Sequence, residues 1–505
     1  MATPSEKLAS SLEVLKLLQS KGVIAIQSSD LSRLHRERLV KNGFLQEVIK
    51  GWYIPSRQDE TVGESTAWYA SFWDFCVAYL DKRFNNQWCL SPEQSLALHA
   101  GNWTIPNQLL VYTPKGQNNI TKLPYQTSIL DVKHDIPLQK YIINLNGLRV
   151  IGINHALVYS TPRFYVNNVT DVKTVLSLVR DASDILNVTL DGGHSTIAAR
   201  IAGALRHIGR NTIANEITKT MNSAGYKINE VNPFESLVKI GFSHHERSPY
   251  VNRLKILWQE MRDVVIKHFP SAIKKKVNTE VYLKHVNKIY ITDAYHSLSI
   301  EGYRVSEALI DRVRSGSWSP ENNQEDKDHV AALAARGYWQ AFNAVEKSLR
   351  HVLDGQNAGR QFEKDHRDWY REMFTPYIVA GVLKPSDLAG YRNSPVYIRR
   401  SKHVPPNIDA VRDLMPVLSD LLMNETEASV RIVLGHFFFV YIHPYMDGNG
   451  RMGRFLMNLM CASGGYPWVI VPVEKRKIYM AALEEASVEQ NIKPFTEFIA
   501  GLIGE

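Results

Sequence analysis

The sequence predicts a mainly α-helical protein whose N-terminal half also contains β-strands. From about residue 250 onward, apolar residues recur at helical spacing almost throughout. Runs rich in β-branched and aromatic residues are instead concentrated in the N-terminal half, as in residues 108–112 and 148–151. A chain of 505 residues is long for one hydrophobic core, so we expect several domains.

Residues 1–60 are predicted to form a winged helix-turn-helix. The first helix has leucines at helical spacing: Leu8, Leu12, Leu15 and Leu18. Ser28, Ser29 and Asp30 are candidate N-caps of a second helix, because short polar side chains accept hydrogen bonds from the first N–H groups of a helix. Residues 44–54 alternate around a Lys-Gly turn, which predicts a β-hairpin after the helices.

The second helix carries a row of basic residues at its outward positions: Arg33, Arg36, Arg38 and Lys41. Residues 39–45 and 50–53 resemble the N-terminal winged-helix domain of AbiEi-type antitoxins, and the resemblance extends more loosely toward residue 225. It implies DNA contact through the basic helix. The alternative is a protein-binding winged helix whose basic residues are only solvated.

We predict three further segments. Residues 61–225 form an α+β middle region without a motif that indicates chemistry, and residues 226–250, with Gly, Pro, Asn and Ser, form a linker. Residues 251–505 form an all-α domain. Within it, residues 390–398 have β-branched and aromatic residues between turn formers, which predicts a short β-hairpin.

Charge and cysteine content limit the class of protein. The formal net charge of +8 permits an anionic partner such as nucleic acid without requiring one. The three cysteines cannot form a disulfide framework and lack the spacing of zinc ligands. The N-terminus lacks a signal sequence, and the most apolar stretch, residues 433–442, is too short to span a bilayer. We therefore expect a cytoplasmic protein without membrane association.

The most informative segment is residues 443–454, which read HPYMDGNGRMGR. Upstream, residues 428–441 predict a strongly apolar helix that Pro444 ends, because proline disfavours helix at the residue before it. Downstream, apolar residues from Met452 onward follow the spacing of a second buried helix. The polar segment is therefore predicted to be a loop that opens a core helix.

This position predicts an anion site. The N-terminus of a helix offers unpaired backbone N–H groups and the positive end of the helix dipole. Gly448 and Gly450 allow the backbone to approach phosphate oxygens without an intervening Cβ. Arg451 and Arg454 lie one helical turn apart and can bind further phosphates with forked donors.

Two further side chains add chemistry to that anion site. Asp447 offers a hard oxygen ligand for Mg²⁺, which usually keeps water ligands and binds phosphate oxygens. His443, with a pKa near neutrality, can take a proton from an attacking hydroxyl. Each residue alone has an ordinary structural explanation, but in this order they indicate a nucleotide site.

Residues 443–454 resemble the motif of Fic-domain proteins, His-x-Phe-x-(Asp/Glu)-Gly-Asn-(Gly/Lys)-Arg-x-x-Arg, at every polar and glycine position. The one departure is Tyr445, where phenylalanine is usual. Gly450 stands where the Doc branch, which phosphorylates its target, has lysine. The resemblance therefore implies an all-α Fic fold and the branch that transfers AMP.

The resemblance also implies roles for the motif residues. AMP would pass from Mg-ATP to a Ser, Thr or Tyr hydroxyl of a target protein or of the protein itself, with release of pyrophosphate. His443 would deprotonate the hydroxyl, and Asp447 would position Mg²⁺. Asn449 and the glycine amides would form the anion hole. Arg451 would bind the β-phosphate and Arg454 the γ-phosphate.

Two further points concern the target and the donor. Val396, Tyr397 and Ile398 match the family's flap, a β-hairpin that holds the target's backbone as an added strand. The phosphate-binding residues do not read the base, so transfer of UMP, GMP or phosphocholine remains an alternative.

A second motif lies upstream. Ser297, Glu301 and Gly302 match the (Ser/Thr)-x-x-x-Glu-(Gly/Asn) motif of the family's inhibitory helix, which would span about residues 280–302 before a catalytic core at about 330–465. The resemblance implies that Glu301 pairs with Arg454 and takes the place of the γ-phosphate. In some relatives the same glutamate positions water to remove AMP, and this alternative stays open.

Two hypotheses follow. The first is an autoinhibited protein adenylyltransferase, and the second is a DNA-binding, antitoxin-like regulator whose Fic domain senses nucleotide. A nucleotide sensor does not need His443, because a base adds nothing to ATP affinity, and its presence favours catalysis. Fic-like proteins are often dimers, so a homodimer is a further expectation.

Overall fold

A computed structural model describes residues 3–57, 64–234, 248–271, 278–318 and 329–504. Within these ranges the chain is mostly helical, as predicted, and the strands form three small sheets between residues 26 and 151. The chain divides into two compact units, Met1–Arg253 with Tyr397–Val404 and Leu254–Val396 with Pro405–Glu505. The finer division into domains stays a prediction, and residues 235–247 of the predicted linker lie outside the described ranges. No helix in those ranges is both long and apolar enough to cross a bilayer.

The first elements are α1 (Pro4–Ser20), β1 (Ile26–Gln27), α2 (Arg33–Lys41), β2 (Leu45–Ile49) and β3 (Trp52–Pro55). They include the two predicted helices and the predicted hairpin, β2–β3, which β1 extends to a sheet of order β1-β3-β2. The predicted N-caps of α2 were wrong. Ser32 caps the helix by accepting a hydrogen bond from the His35 N–H, because Asp30 is already used to close the turn after β1.

The middle of the first unit is an α+β region. Its elements are α3 (Thr66–Phe84), β4 (Cys89–Leu90), α4 (Pro92–His99), β5 (Leu109–Thr113), β6 (Asn119–Lys122), β7 (Ser128–Lys133), β8 (Ile142–Leu145), β9 (Leu148–Ile151), α5 (Ile153–Tyr159), α6 (Pro162–Asn167), α7 (Val169–Leu178), α8 (Ala182–Asp191), α9 (Ser195–His207) and α10 (Asn211–Ser223). One sheet has the order β4-β5-β7-β6, and β8–β9 is a separate hairpin. Helices α5–α10 bury their apolar faces in a common core that continues from the strands.

A segment from much later in the chain, Tyr397–Val404, belongs to this first unit. Arg399 binds the carboxylate of Glu64 with Nε and with Nη2, the latter at 2.6 Å, and the Glu64 side chain is only 3% exposed. The backbone N–H of Ile105 donates to the carbonyl of Lys402 at 3.0 Å. Ionic and backbone hydrogen bonds thus both hold the segment in place.

The second unit is helical in its described residues. Its helices are α11 (Pro249–His268, which begins in the first unit), α12 (Thr279–Ile300), α13 (Glu307–Ser315), α14 (His329–Leu353), α15 (Ala358–Val379), α16 (Ile408–Asn424), α17 (Ala428–Ile442), α18 (Asn449–Ser463), α19 (Arg476–Val488) and α20 (Lys493–Gly504). Helices α14 and α15 approach closely at Gly337, where an added Cβ would lie 2.0 Å from the carbonyl oxygen of Met373. Helices α17 and α18 are the two apolar helices predicted around residues 443–454, and both are buried along most of their length.

The predicted β-hairpin at residues 390–398 was wrong. No strand is formed between residues 390 and 404, all of which the structure describes. Arg392 uses its backbone N–H for the carbonyl of Pro444 at 2.8 Å, and Pro395 has no N–H to donate. These two residues therefore offer no backbone N–H to a hairpin, and the segment is an irregular loop.

Candidate active site

The loop between α17 and α18 is held by its own polar groups. The side chain of Asn449 accepts a hydrogen bond from the Tyr445 N–H at 2.9 Å and donates one to the Tyr445 carbonyl at 2.8 Å. The ring of Tyr445 is fully buried and stacks on Tyr370, with ring centroids 3.9 Å apart. The Asn449 side chain is thus engaged in closing the loop, and the anion-hole role expected for Asn449 stays a prediction. Only its backbone N–H remains suited to an anion.

His443 ends α17 in the left-handed region, with φ of 53° and ψ of 60°. Its Nδ1 lies 3.2 Å from the carbonyl oxygen of Val440, which can only accept, so Nδ1 carries the proton and Nε2 keeps its lone pair. Burial lowers the pKa of His443 to about 4, well below the near-neutral value expected from the sequence. The imidazole is therefore neutral at pH 7 and able to accept a proton.

At the start of α18, glycine allows other groups to approach the backbone closely. Gly448 is the N-cap, with φ of +81°, and an added Cβ would lie 2.8 Å from the ring of Phe374. The next N–H groups along the helix have no partner within the helix, as at any helix N-terminus. The positive end of the helix dipole and these donors are together suited to bind an anion, as expected of the predicted anion site.

Two buried guanidiniums adjoin this anion site, with side-chain exposures of 0% for Arg451 and 6% for Arg454. Arg451 bonds Asp447 at 3.3 Å and lies over the rings of Tyr303 and Phe374, each at 5.3 Å. Within the described residues, Nε and Nη1 of Arg451 and Nη1 of Arg454 have no hydrogen-bond partner. Buried charged donors without partners are costly, and a bound anion would satisfy them.

Arg454 is also bonded to the end of α12, the helix predicted to be inhibitory. Its Nη2 donates to Glu301 Oε1 at 2.7 Å and to the Ser297 carbonyl at 2.9 Å, while its Nε donates to Ser297 Oγ at 2.9 Å. Burial alone would raise the pKa of Glu301, but the positive charges of Arg454 and Arg451 hold it below its usual value. The carboxylate is therefore charged, and it occupies one side of the anion site.

Glu301 also lies against the backbone of α18. An added Cβ at Gly450 would lie 2.3 Å from Glu301 Oε1. Because that distance is far below van der Waals contact, the observed position of the carboxylate requires glycine at residue 450.

Three contacts hold α12 to residues 468–476. Trp468 donates from Nε1 to the buried carboxylate of Asp293 at 3.1 Å, and the Val473 N–H donates to Nδ1 of His296 at 3.1 Å. Near the C-terminus of the helix, Arg476 donates from Nε to the carbonyl of Ile300 at 2.6 Å. The helix end that carries Glu301 is thus fixed on more than one side.

Asp447, which the sequence predicted to position Mg²⁺, lies immediately before Gly448, the N-cap of α18. Its side chain is 64% exposed, and Oδ1 accepts a hydrogen bond from the Gly448 N–H. Among the described residues, no group of three or more His, Cys, Asp or Glu side chains could hold a metal ion. A single exposed carboxylate suits Mg²⁺ that is bound mainly by water and phosphate oxygens.

Comparison with known proteins agrees with this geometry. Residues 363–461, which include α17, the loop and most of α18, match the model of the Fic/DOC family. The chain contains a Fic domain.

Named relatives match over about half of the chain. A protein adenylyltransferase Fic of Drosophila willistoni is 30% identical over 237 residues, which are 46% of this chain and 42% of that protein. The protein of the same name from Drosophila grimshawi is 29% identical over 269 residues, 51% of this chain and 50% of that protein. The chain thus spans about half the length of these relatives. A solved structure of Fic-1 (aa134–508) from C. elegans aligns with 68% of this chain and 90% of its own, at 19% identity and a TM-score of 0.37.

Some predicted site residues lie outside the loop between α17 and α18. Val396 belongs to the second unit, whereas Tyr397 and Ile398 belong to the first, in the segment held by Glu64. Gly302 follows Glu301 with φ of +94°, as expected for a glycine that stops a helix.

The basic residues of α2 are largely engaged within the protein. Arg33 pairs with Glu37 at 2.7 Å, and both side chains are exposed. Arg36 donates to the carbonyl of Ser28 at 2.9 Å, and Arg38 donates to the carbonyl of Lys7 at 2.8 Å. Lys41 is exposed at the end of the helix. DNA contact through these residues stays a prediction, and these bonds do not favour it.

Sequence reasoning missed three features. Arg392 is 2% exposed and bonds the carbonyl of His443, which only the fold reveals. Asp293 is buried and accepts hydrogen bonds from Tyr338 and Trp468 one turn before Ser297. The first unit also contains a cavity of about 970 Å³, in the region to which the sequence assigned no chemistry.

Proposed function

We propose that this protein is an autoinhibited protein adenylyltransferase. It would transfer AMP from ATP to a Ser, Thr or Tyr hydroxyl of a target protein, or of itself. The observation that carries the proposal is a neutral His443 beside a helix N-terminus and two buried arginines with unpaired donors. The names of the relatives, which match about half of the chain, support the same activity.

In this proposal the chain's own residues perform binding and proton transfer. The α18 N-terminus and the free donors of Arg451 bind the phosphates, and Nε2 of His443 accepts the proton of the target hydroxyl. The hydroxyl oxygen forms a bond to the α-phosphorus of ATP while the bond to pyrophosphate breaks. Mg²⁺, held by Asp447 with phosphate oxygens and water, would neutralise charge on the phosphates.

Autoinhibition is part of the proposal. The Glu301 carboxylate uses Nη2 of Arg454 and adds a negative charge where phosphate oxygens would otherwise bind. Because a γ-phosphate and a carboxylate compete for the same guanidinium, ATP would bind in a pose unsuited to transfer until Glu301 moves.

Intact-mass measurement tests the transferred group. We expect the Glu301→Gly protein, incubated with Mg²⁺ and ATP, to gain the mass of AMP through self-modification. Parallel incubations with UTP, GTP and CDP-choline are the controls for the identity of the donor. The protein that carries both Glu301→Gly and His443→Ala, incubated with ATP, is the control for the base. A gain of UMP, GMP or phosphocholine with no gain of AMP would show that the proposed donor is wrong.

The pH dependence of transfer provides a separate test. Since burial lowers the pKa of His443 to about 4, its neutral form persists as the pH falls from 8 to 6, and activity is lost only as the pH approaches 4. A histidine with an ordinary pKa of about 6.5 would instead lose roughly three-quarters of its neutral form at pH 6. We expect kcat of the Glu301→Gly protein at saturating ATP to change less than about twofold over that range. A fall of kcat to half its value at about pH 6.5, the ordinary pKa of histidine, would contradict a His443 that stays neutral at pH 6.

A further inference from the structure

Arg392 is a buried cation with an unusual set of partners. Its side chain donates from Nε to the carbonyl of His443 at 2.8 Å, from Nη1 to that of Ser394 at 3.4 Å, and from Nη2 to that of Pro406. Its backbone N–H donates to the Pro444 carbonyl at 2.8 Å. Arg392 therefore bonds both peptide carbonyls at the start of the loop between α17 and α18.

All of these partners are neutral. Among the described residues no carboxylate pairs with Arg392, and burial lowers its pKa to about 10, so the guanidinium still carries its charge at pH 7. A buried charge is usually paired with an opposite charge, and residues with a strongly perturbed pKa are concentrated at functional sites. Packing alone would be served as well by an apolar side chain.

The residue that Arg392 holds is itself conformationally unusual. His443 is not glycine, yet its backbone lies in the left-handed region, a conformation that persists only where its surroundings impose it. The Phe439 carbonyl accepts the His443 N–H at 3.0 Å, and Arg392 binds the His443 carbonyl. Both backbone polar groups of the proposed base are thus fixed, and one of the two bonds comes from Arg392.

We infer that Arg392 is a positioning residue for AMP transfer, which fixes the backbone of His443 so that Nε2 faces the attacking hydroxyl. This inference rests on the proposed function. Arg392 does not contact the reacting groups in this role, and its effect passes through the His443 carbonyl. Arg392 also lies four residues before Val396, the first of the predicted target-docking residues. The same arginine therefore belongs to the loop before those residues and bonds the backbone of the proposed base.

The test uses the full chain with Glu301→Gly as the active parent. Arg392→Lys keeps the charge but loses the fork, and Arg392→Met loses both. We expect kcat for AMP transfer to fall by roughly 100-fold in Arg392→Met, since small misplacements of a catalytic group have effects of this size, and by less in Arg392→Lys. The KM for ATP should change less than about twofold. ATP affinity, measured by direct titration with the His443→Ala protein as reference, should also change less than about twofold. Arg412→Met is the matched control, because Arg412 is exposed and, among the described residues, bonds the carbonyl of Ile408 within its own helix.

The outcomes separate this inference from the function on which it rests. An inactive Glu301→Gly parent overturns the proposed function and the inference with it. An active parent whose kcat is retained in both Arg392 variants overturns the inference alone. A fall in ATP affinity equal to the fall in kcat assigns Arg392 to nucleotide binding and also overturns it. If Arg392→Met does not fold, the same comparison is made with Arg392→Lys: a fall in kcat with an unchanged KM for ATP supports the inference, and an unchanged kcat overturns it.

Discussion

Replacing Glu301 with glycine is expected to raise AMP transfer by about 10- to 100-fold. The bond between Arg454 and Glu301 is charge-assisted, and such bonds contribute about 1.5–3 kcal/mol. In the Glu301→Gly protein the carboxylate no longer competes with the γ-phosphate for Arg454. Because about 1.4 kcal/mol corresponds to a factor of ten, this gives the expected rise of about 10- to 100-fold in the rate of transfer. The measurement is the initial rate of labelled AMP incorporation into the protein itself.

Two further substitutions separate charge from bulk at this position. Glu301→Gln keeps the shape of the side chain and removes its charge, so it should activate less than Glu301→Gly if bulk also contributes. Ser297→Ala removes the neutral hydroxyl that accepts from Arg454 Nε and should activate weakly. Unchanged transfer in Glu301→Gly, with an unchanged melting temperature and ATP affinity, would show that Glu301 does not restrain the protein.

Gly450 connects the two motifs found in the sequence. From the sequence it indicated nucleotidyl transfer, because the phosphorylating branch has lysine there. In the structure, an added Cβ at this residue would lie 2.3 Å from Glu301 Oε1, so any side chain would displace the carboxylate. Glycine at residue 450 therefore also makes room for the contact between Glu301 and Arg454.

The features that the sequence predicted correctly depend on local patterns. The apolar helices α17 and α18 and the polar loop between them follow from the spacing of residues within one segment. The pairing of Glu301 with Arg454 links residues 153 apart and was expected only through resemblance to a family. The fold confirms that contact, whereas its inhibitory role stays a proposal.

The features that the sequence did not predict depend on partners chosen by the fold. Arg392 bonds a carbonyl 51 residues away, and no periodicity indicates such a pair. The Asn449 side chain bonds the backbone N–H and carbonyl of Tyr445, four residues earlier, a pairing that the sequence did not indicate. The hairpin at residues 390–398 was predicted from β-branched and aromatic composition, but the Arg392 N–H is bonded to the Pro444 carbonyl and Pro395 has no N–H to donate.

His443→Ala in the Glu301→Gly background is expected to abolish detectable AMP transfer. A positioned general base contributes about 10²- to 10⁴-fold, and the neutral imidazole of His443 is the base adjoining the anion site in the described structure. ATP affinity should be unchanged, because the phosphates would be bound by backbone N–H groups of α18 and by Arg451 and Arg454. The rate of labelled AMP incorporation and a direct ATP titration are measured on the same preparation. Arg454→Ala is the contrasting variant, since it should weaken ATP binding as well as transfer. Transfer that persists in the His443→Ala protein would assign proton removal to another group, and lost ATP affinity would make His443 a nucleotide ligand.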